Sequence, residues 1–154
     1  MTDLADIIDA RAILPSVKAQ GKKQLLQELS QAMAKFVNID HRIIFETLLQ
    51  REKLGSTGIG QGIAIPHGKM PSINRVYGLF ARLTQPIAYD SMDGQPVDLV
   101  FVLLAPDHAG ADHLKALARI SRLLRENDTI TKLRGTDTAE GLYSILTEPS
   151  ATAS

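Results

Sequence analysis

The chain has 154 residues, 44% of them hydrophobic, and no cysteine, which is enough for one well-buried core and too little for two ordinary domains. Seventeen basic residues balance seventeen acidic ones, so no overall positive field draws it onto nucleic acid or an anionic membrane, and partners are expected among proteins or small molecules. The lack of cysteine excludes disulfides, thiolate zinc sites and a cysteine nucleophile, and no apolar run has membrane-spanning length or the flanks of a secretory signal, so a cytoplasmic protein without membrane insertion is expected.

From Lys22 to Val37 the apolar residues Leu25, Leu26, Leu29, Met33, Phe36 and Val37 recur at helical spacing, which predicts an amphipathic helix. A second helix is predicted from an Asp40 N-cap through Ile43, Ile44, Leu48 and Leu49, ending before Gly55. Five of the eleven glycines then fall between Gly55 and Gly68, in a stretch that reads as a loop entering a short strand at Ile63 to Ile65. Val76 to Leu83 and Val97 to Leu104 are near-continuous apolar runs bounded by turn signals, as expected of strands covered on both faces.

Leu114, Leu117, Ala118, Ser121 and Leu124 form the stripe of a helix spanning about Asp112 to Arg125. Asp137-Thr138-Ala139-Glu140 resembles a capping box ahead of Leu142, Ile145 and Leu146. The order of helix pair, strands and further helices predicts a single-domain α/β/α sandwich with a central mixed sheet over residues 1–148, and a frayed tail at 149–154.

The spacing of Gly58, Gly60 and Gly62 invites comparison with a dinucleotide fingerprint, but that motif needs a strand before the glycines and a helix after them. Here the order is reversed, and no Lys-Ser or Lys-Thr pair completes a P-loop. Without Cβ atoms these glycines are expected to turn backbone N–H groups towards a phosphoryl group, or to form a tight turn. Behind them, Pro66 restricts the backbone on both sides, so that His67 leaves the strand at a constrained angle. An imidazole with an ordinary pKa near ~6.5 has a free ring nitrogen at neutral pH and is a competent nucleophile. A phosphorylated ring needs cationic or N–H partners already in place.

Arg51, just before the glycines, is a candidate for such a partner because its guanidinium offers forked donors; the alternative is a solvated arginine. His113 lies in the first turn of the Asp112–Arg125 helix, where N–H groups favour an anion; the alternative is an ordinary surface residue. Ser56 and Thr57 are secondary candidates as hydroxyl donors, or plain turn formers. Asp107, His108, Asp112 and His113 match no common metal-ligand spacing, and His41 and His108 read as exposed. A histidine behind a proline is more often structural than catalytic, and residue chemistry by itself leaves both readings open.

The segment Arg51 to Lys69, with Gly58-Ile59-Gly60-Gln61-Gly62-Ile63-Ala64-Ile65-Pro66-His67 at its centre, resembles the active-site signature of the fructose/mannitol-type IIA domains of the bacterial phosphotransferase system. Asp93 to Phe101 and His113 to Leu117 resemble that family's later blocks, and the likeness runs from about Leu4 to Leu146. The resemblance implies a mannitol-type IIA fold and a phosphohistidine at Nε2 of His67, charged by a small histidine phosphocarrier protein, with Arg51 and His113 lining the site. Gln61 stands where many relatives carry Asn. Transfer between two histidines depends on in-line positioning, so no cofactor or metal is expected, and no independent small-molecule turnover.

Two roles within the family remain open at this level. One is a regulator whose phosphorylation state selects its target proteins; the other is a sugar-specific component passing phosphate to a IIB domain. The block from Pro86 to Asp98 is more similar to the nitrogen-regulatory branch. A third reading, a binding module that has lost the chemistry, is disfavoured by the joint presence of Arg51, His67 and His113.

Overall fold

The computed structural model describes Leu4 and residues 6–108 and 110–147; the tail expected at 149–154 lies outside the described residues. In chain order the elements are β1 (Ile8–Val17), α1 (Lys22–Val37), α2 (His41–Lys53), β2 (Gly58–Gly60), β3 (Ile63–Ala64), β4 (His67–Met70), β5 (Tyr77–Ile87), β6 (Val97–Pro106), α3 (Ala111–Leu123), α4 (Asn127–Arg134) and α5 (Ala139–Thr147).

The strands form one sheet in the order β1-β5-β6-β3-β2, with β4 also paired to β6. The sheet is mixed: β1 runs parallel to β5, β5 antiparallel to β6, and both β3 and β4 parallel to β6. From Leu99 to Pro106, consecutive residues of β6 are all buried. Because successive side chains on a strand point to opposite faces, both faces of the sheet are covered, which is the layered α/β arrangement expected. Phe80 and Phe101 face each other across the β5–β6 pair, with ring centroids 6.4 Å apart. Leu25, Leu29 and Met33 of α1 and Ile44 and Leu48 of α2 are fully buried in the same core. Replacing one such aromatic by alanine costs about 3–5 kcal/mol.

The helix pair matches its expected limits, and the Asp40 carboxylate accepts the Arg42 backbone N–H at 2.9 Å as an N-cap should. Four elements differ from expectation. Strand β1 precedes the helix pair; it is an edge strand in which Asp9, Arg11 and Pro15 interrupt any apolar run. The glycine stretch is a strand, β2, rather than a loop, paired antiparallel with β3. Helix α4 has only Ile130 and Leu133 buried among its eight residues, too little periodicity to read. The cap of α5 is Thr138, whose hydroxyl accepts the Gly141 N–H at 3.1 Å, rather than the Asp137 to Glu140 box.

Candidate active site

His67 does not leave a strand; it opens one. β3 ends at Ala64, the chain steps through Ile65 and Pro66, and β4 resumes on the same neighbour, with His67 opposite Leu103. The step is fixed by the Leu103 N–H donating to the Pro66 carbonyl at 2.9 Å. At Gly68 a Cβ would come within 2.5 Å of Thr47 Cγ2. Glycine there lets α2 approach β4 closely, and this delivers Arg51, in the last turn of α2, to the imidazole.

Both ring nitrogens of His67 are engaged. Nδ1 lies 2.8 Å from the Ile65 carbonyl, an acceptor, so Nδ1 carries the proton. The lone pair is therefore on Nε2, which accepts the Arg51 Nε–H at 3.2 Å. Arg51 is itself held by donating from Nη1 to the Gly55 carbonyl at 2.9 Å. His113 of α3 stands edge-on to His67, with ring centroids 5.5 Å apart and planes at 74°. It is only 5% exposed, and neither of its ring nitrogens has a hydrogen-bond partner.

This overturns the expected phase of α3: His113, Ala116, Ile120 and Leu123 face inward, while Leu114 is 69% exposed. Burial pushes the pKa of both histidines down, helped at His67 by the Arg51 charge and at His113 by His67 and Lys69. The Ile65 carbonyl and the Glu52 carboxylate oppose the shift at His67. An open groove of about 400 Å³ runs over the two rings, lined also by Thr47, Gln50, Leu54 and Lys69, none of which the sequence had singled out.

The secondary candidates have other partners. Thr57 Oγ1 donates to Glu52 Oε2 and lies 3.1 Å from the Tyr89 hydroxyl, and Ser56 Oγ donates to the Tyr89 carbonyl at 2.9 Å. The Gly58 N–H goes to Ser56 Oγ, and the Gln61 N–H to Asp93 Oδ2. A Cβ at Gly58 would meet Ser91 Oγ at 2.5 Å, one at Gly60 the Asp93 carboxylate at 3.2 Å, and one at Gly62 Asp98 Oδ1 at 2.8 Å and the Arg134 guanidinium. These glycines are closely packed at the β2–β3 turn, the second of the two roles expected of them. His41 and His108 are exposed, and among the described residues no cluster of histidines and carboxylates could hold a metal ion.

A family model described as "Phosphoenolpyruvate-dependent sugar phosphotransferase system, EIIA 2" matches residues 6–148. The chain belongs to this EIIA type-2 family. Membership makes it a component of a phosphotransferase system. The nitrogen regulatory protein of Bradyrhizobium diazoefficiens is 57% identical over 150 residues, covering 97% of this chain and 98% of that one. The crystal structure of nitrogen regulatory protein IIA-Ntr from Neisseria meningitidis superposes with a TM-score of 0.88 at 35% identity, covering 92% of this chain and 97% of that chain. The mannitol IIA of Escherichia coli superposes at 0.75 with 20% identity, over 90% and 97% of the two chains, and shares the fold. The EIIA chain resembles the nitrogen-regulatory branch, as the Pro86 to Asp98 block suggested. Among its described residues no helix is long and apolar enough to cross a membrane.

Proposed function

We propose that this EIIA chain is a cytoplasmic phosphoryl-relay regulator of the nitrogen-related phosphotransferase system. It accepts a phosphoryl group on Nε2 of His67 from a histidine phosphocarrier protein. The observation that carries the reading is the division of labour at the imidazole: Ile65 holds the proton on Nδ1, and Arg51 stands at the lone pair on Nε2.

In the transfer, the phosphorus–nitrogen bond to the donor's imidazole breaks as a bond to Nε2 forms. Nδ1 keeps its proton throughout. The Arg51 N–H exchanges its acceptor, from the Nε2 lone pair to the incoming phosphoryl oxygens, so the cation needs only a small movement to meet the developing charge. His113 has two unused ring nitrogens beside the same position and supplies a further hydrogen bond. The added charge, about −1.5 to −2, arrives in the open groove beside Arg51 and Lys69 and changes the surface that target proteins meet. The 57% identity, over nearly the full length of both chains, with a nitrogen regulatory protein supports a regulator over a sugar-uptake component.

The test is incubation with a phosphocarrier, its enzyme I and phosphoenolpyruvate, followed by intact-mass measurement. Wild type should gain one phosphoryl mass and His67→Ala none; equal masses for both would end the reading. Co-purification of target proteins with phosphorylated and unphosphorylated forms then tests the regulatory half, which identical partner sets would defeat.

A further inference from the structure

The residue after Arg51 carries a charge that the phosphoryl site does not itself use. Glu52 has a side chain only 3% exposed, and four donors converge on its carboxylate. Oε1 accepts from Lys22 Nζ at 2.8 Å and from the Thr57 N–H at 3.1 Å. Oε2 accepts from the Tyr89 hydroxyl at 3.1 Å and from the Thr57 hydroxyl. Lys22 also sits over the Tyr89 ring, 4.4 Å from its centroid. Apolar packing would stabilise a turn at least as well as a buried ion pair; a carboxylate adds directional acceptors that fix where each donor lies.

What the carboxylate holds directly is Thr57, from which one chain of bonds leads to Nδ1 of His67; the chain to Nε2 runs through the backbone of the same turn. On one side, Thr57 is clamped by Glu52, the Thr57 carbonyl accepts the Ile65 N–H at 3.0 Å, and the Ile65 carbonyl accepts from Nδ1 at 2.8 Å. On the other side, the Gly55 N–H donates to the Glu52 backbone carbonyl at 3.0 Å, the Gly55 carbonyl accepts from Arg51 Nη1, and Arg51 Nε donates to Nε2. We propose that the Glu52 side chain is a positioning residue for His67, acting through Thr57 and Ile65 to hold the proton on Nδ1. Lys22 is its counter-ion, and Tyr89 completes the clamp. This assignment rests on His67 being the phosphoryl acceptor only for its consequence on rate; the geometry is testable in the unmodified protein.

The test compares Glu52→Gln and Glu52→Ala with wild type. Glutamine keeps the Oε1 acceptor for the Thr57 N–H, and its amide can donate to the two hydroxyls; alanine keeps neither. The ring nitrogens of His67 are read by ¹⁵N NMR in the unphosphorylated state above its titration range, and phosphoryl uptake by rapid quench. Wild type should hold the proton on Nδ1. Alanine should mix the two tautomers and slow uptake about tenfold or more, with glutamine restoring most of both. Where the alanine variant does not fold, Thr57→Val combined with Tyr89→Phe removes both donors to Oε2 and should shift the same resonances and slow uptake about threefold.

Ring resonances and rates like wild type in these variants would overturn the assignment. A wild type that takes up no phosphoryl group while its tautomer still depends on Glu52 would leave the positioning role standing and remove the relay reading instead.

Discussion

Arg51 donates from Nε to Nε2 of His67 at 3.2 Å, so the cation of the site rests on the nitrogen proposed to accept the phosphoryl group. The pair is ready before any substrate arrives. Its cost is a lone pair occupied in the resting state, and its return is a donor already within reach of the phosphoryl oxygens.

Removing that donor should therefore slow chemistry more than binding. Arg51→Ala is expected to reduce the rate of phosphoryl uptake about 100-fold or more, with donor binding little altered. Arg51→Lys should recover only part of the rate, because a lysine ammonium lacks the fork that bonds Gly55 and His67 together. The same alanine variant should raise the His67 titration midpoint, since the Arg51 charge helps to hold it down. Rapid-quench kinetics and a histidine NMR titration measure both effects.

The depressed histidines set a pH dependence with a definite sign. Burial holds both His67 and His113 neutral below the ordinary imidazole range. Uptake should therefore stay constant as pH falls from 8 through about 6.5 and decline only once the lowered midpoints are passed. Stability follows the same direction. Below about pH 6.5 the unfolded chain binds protons that the folded site refuses, so unfolding becomes easier as pH falls, and the contribution is fully present only above that value. Urea titrations between pH 5 and 8 should show the midpoint falling on the acid side, and His67→Leu with His113→Leu should flatten that slope.

His113 separates function from stability. Its two ring nitrogens are buried without partners, and leaving a polar group in that condition costs about 1–3 kcal/mol. His113→Leu should raise stability by about 1 kcal/mol in urea while slowing phosphoryl uptake. A loss of stability equal to that of an ordinary core truncation would mean that His113 is held by packing alone.

The same residue marks where the sequence was legible and where it was not. Arg51 and His67 could be found because each is flanked by local signals, a helix end before the glycines and a proline that fixes the backbone. The two helices and the β5–β6 core could be read because their apolar runs are long. His113 was a candidate from its place in the first turn of the helix, with an ordinary surface residue as the alternative, but the stripe read through Leu114 and Leu117 had the wrong phase; the buried face carries His113, Ala116, Ile120 and Leu123, and the His67 ring that His113 meets is far away in sequence. The packing around the glycines was hidden for a similar reason. What crowds Gly58, Gly60 and Gly62 are Ser91, Asp93, Asp98 and Arg134, and nothing near the turn announces them. Glu52 was not among the sequence candidates, because its burial depends on Lys22 at the start of α1 and Tyr89 just past the end of β5.

Gly62 tests the packing role of the glycines. It has φ of +83°, and a Cβ there would press on Asp98 Oδ1 and on the Arg134 guanidinium, which pairs with Asp98 at 2.8 Å and also donates to the Gln61 carbonyl. An alanine must carry the strain of a left-handed backbone and also push apart a partly exposed ion pair. The expected loss is about 1–3 kcal/mol, read as a lower urea midpoint with unchanged m-value. Arg134→Ala should relieve the steric part, so the double variant Gly62→Ala with Arg134→Ala should lose less than the two single losses added together. For a glycine whose role is the packing of the β2–β3 turn, the folded fraction of Gly62→Ala should take up phosphoryl groups within about threefold of the wild-type rate. A collapse of the rate in protein that remains folded would return the glycine to the phosphoryl site.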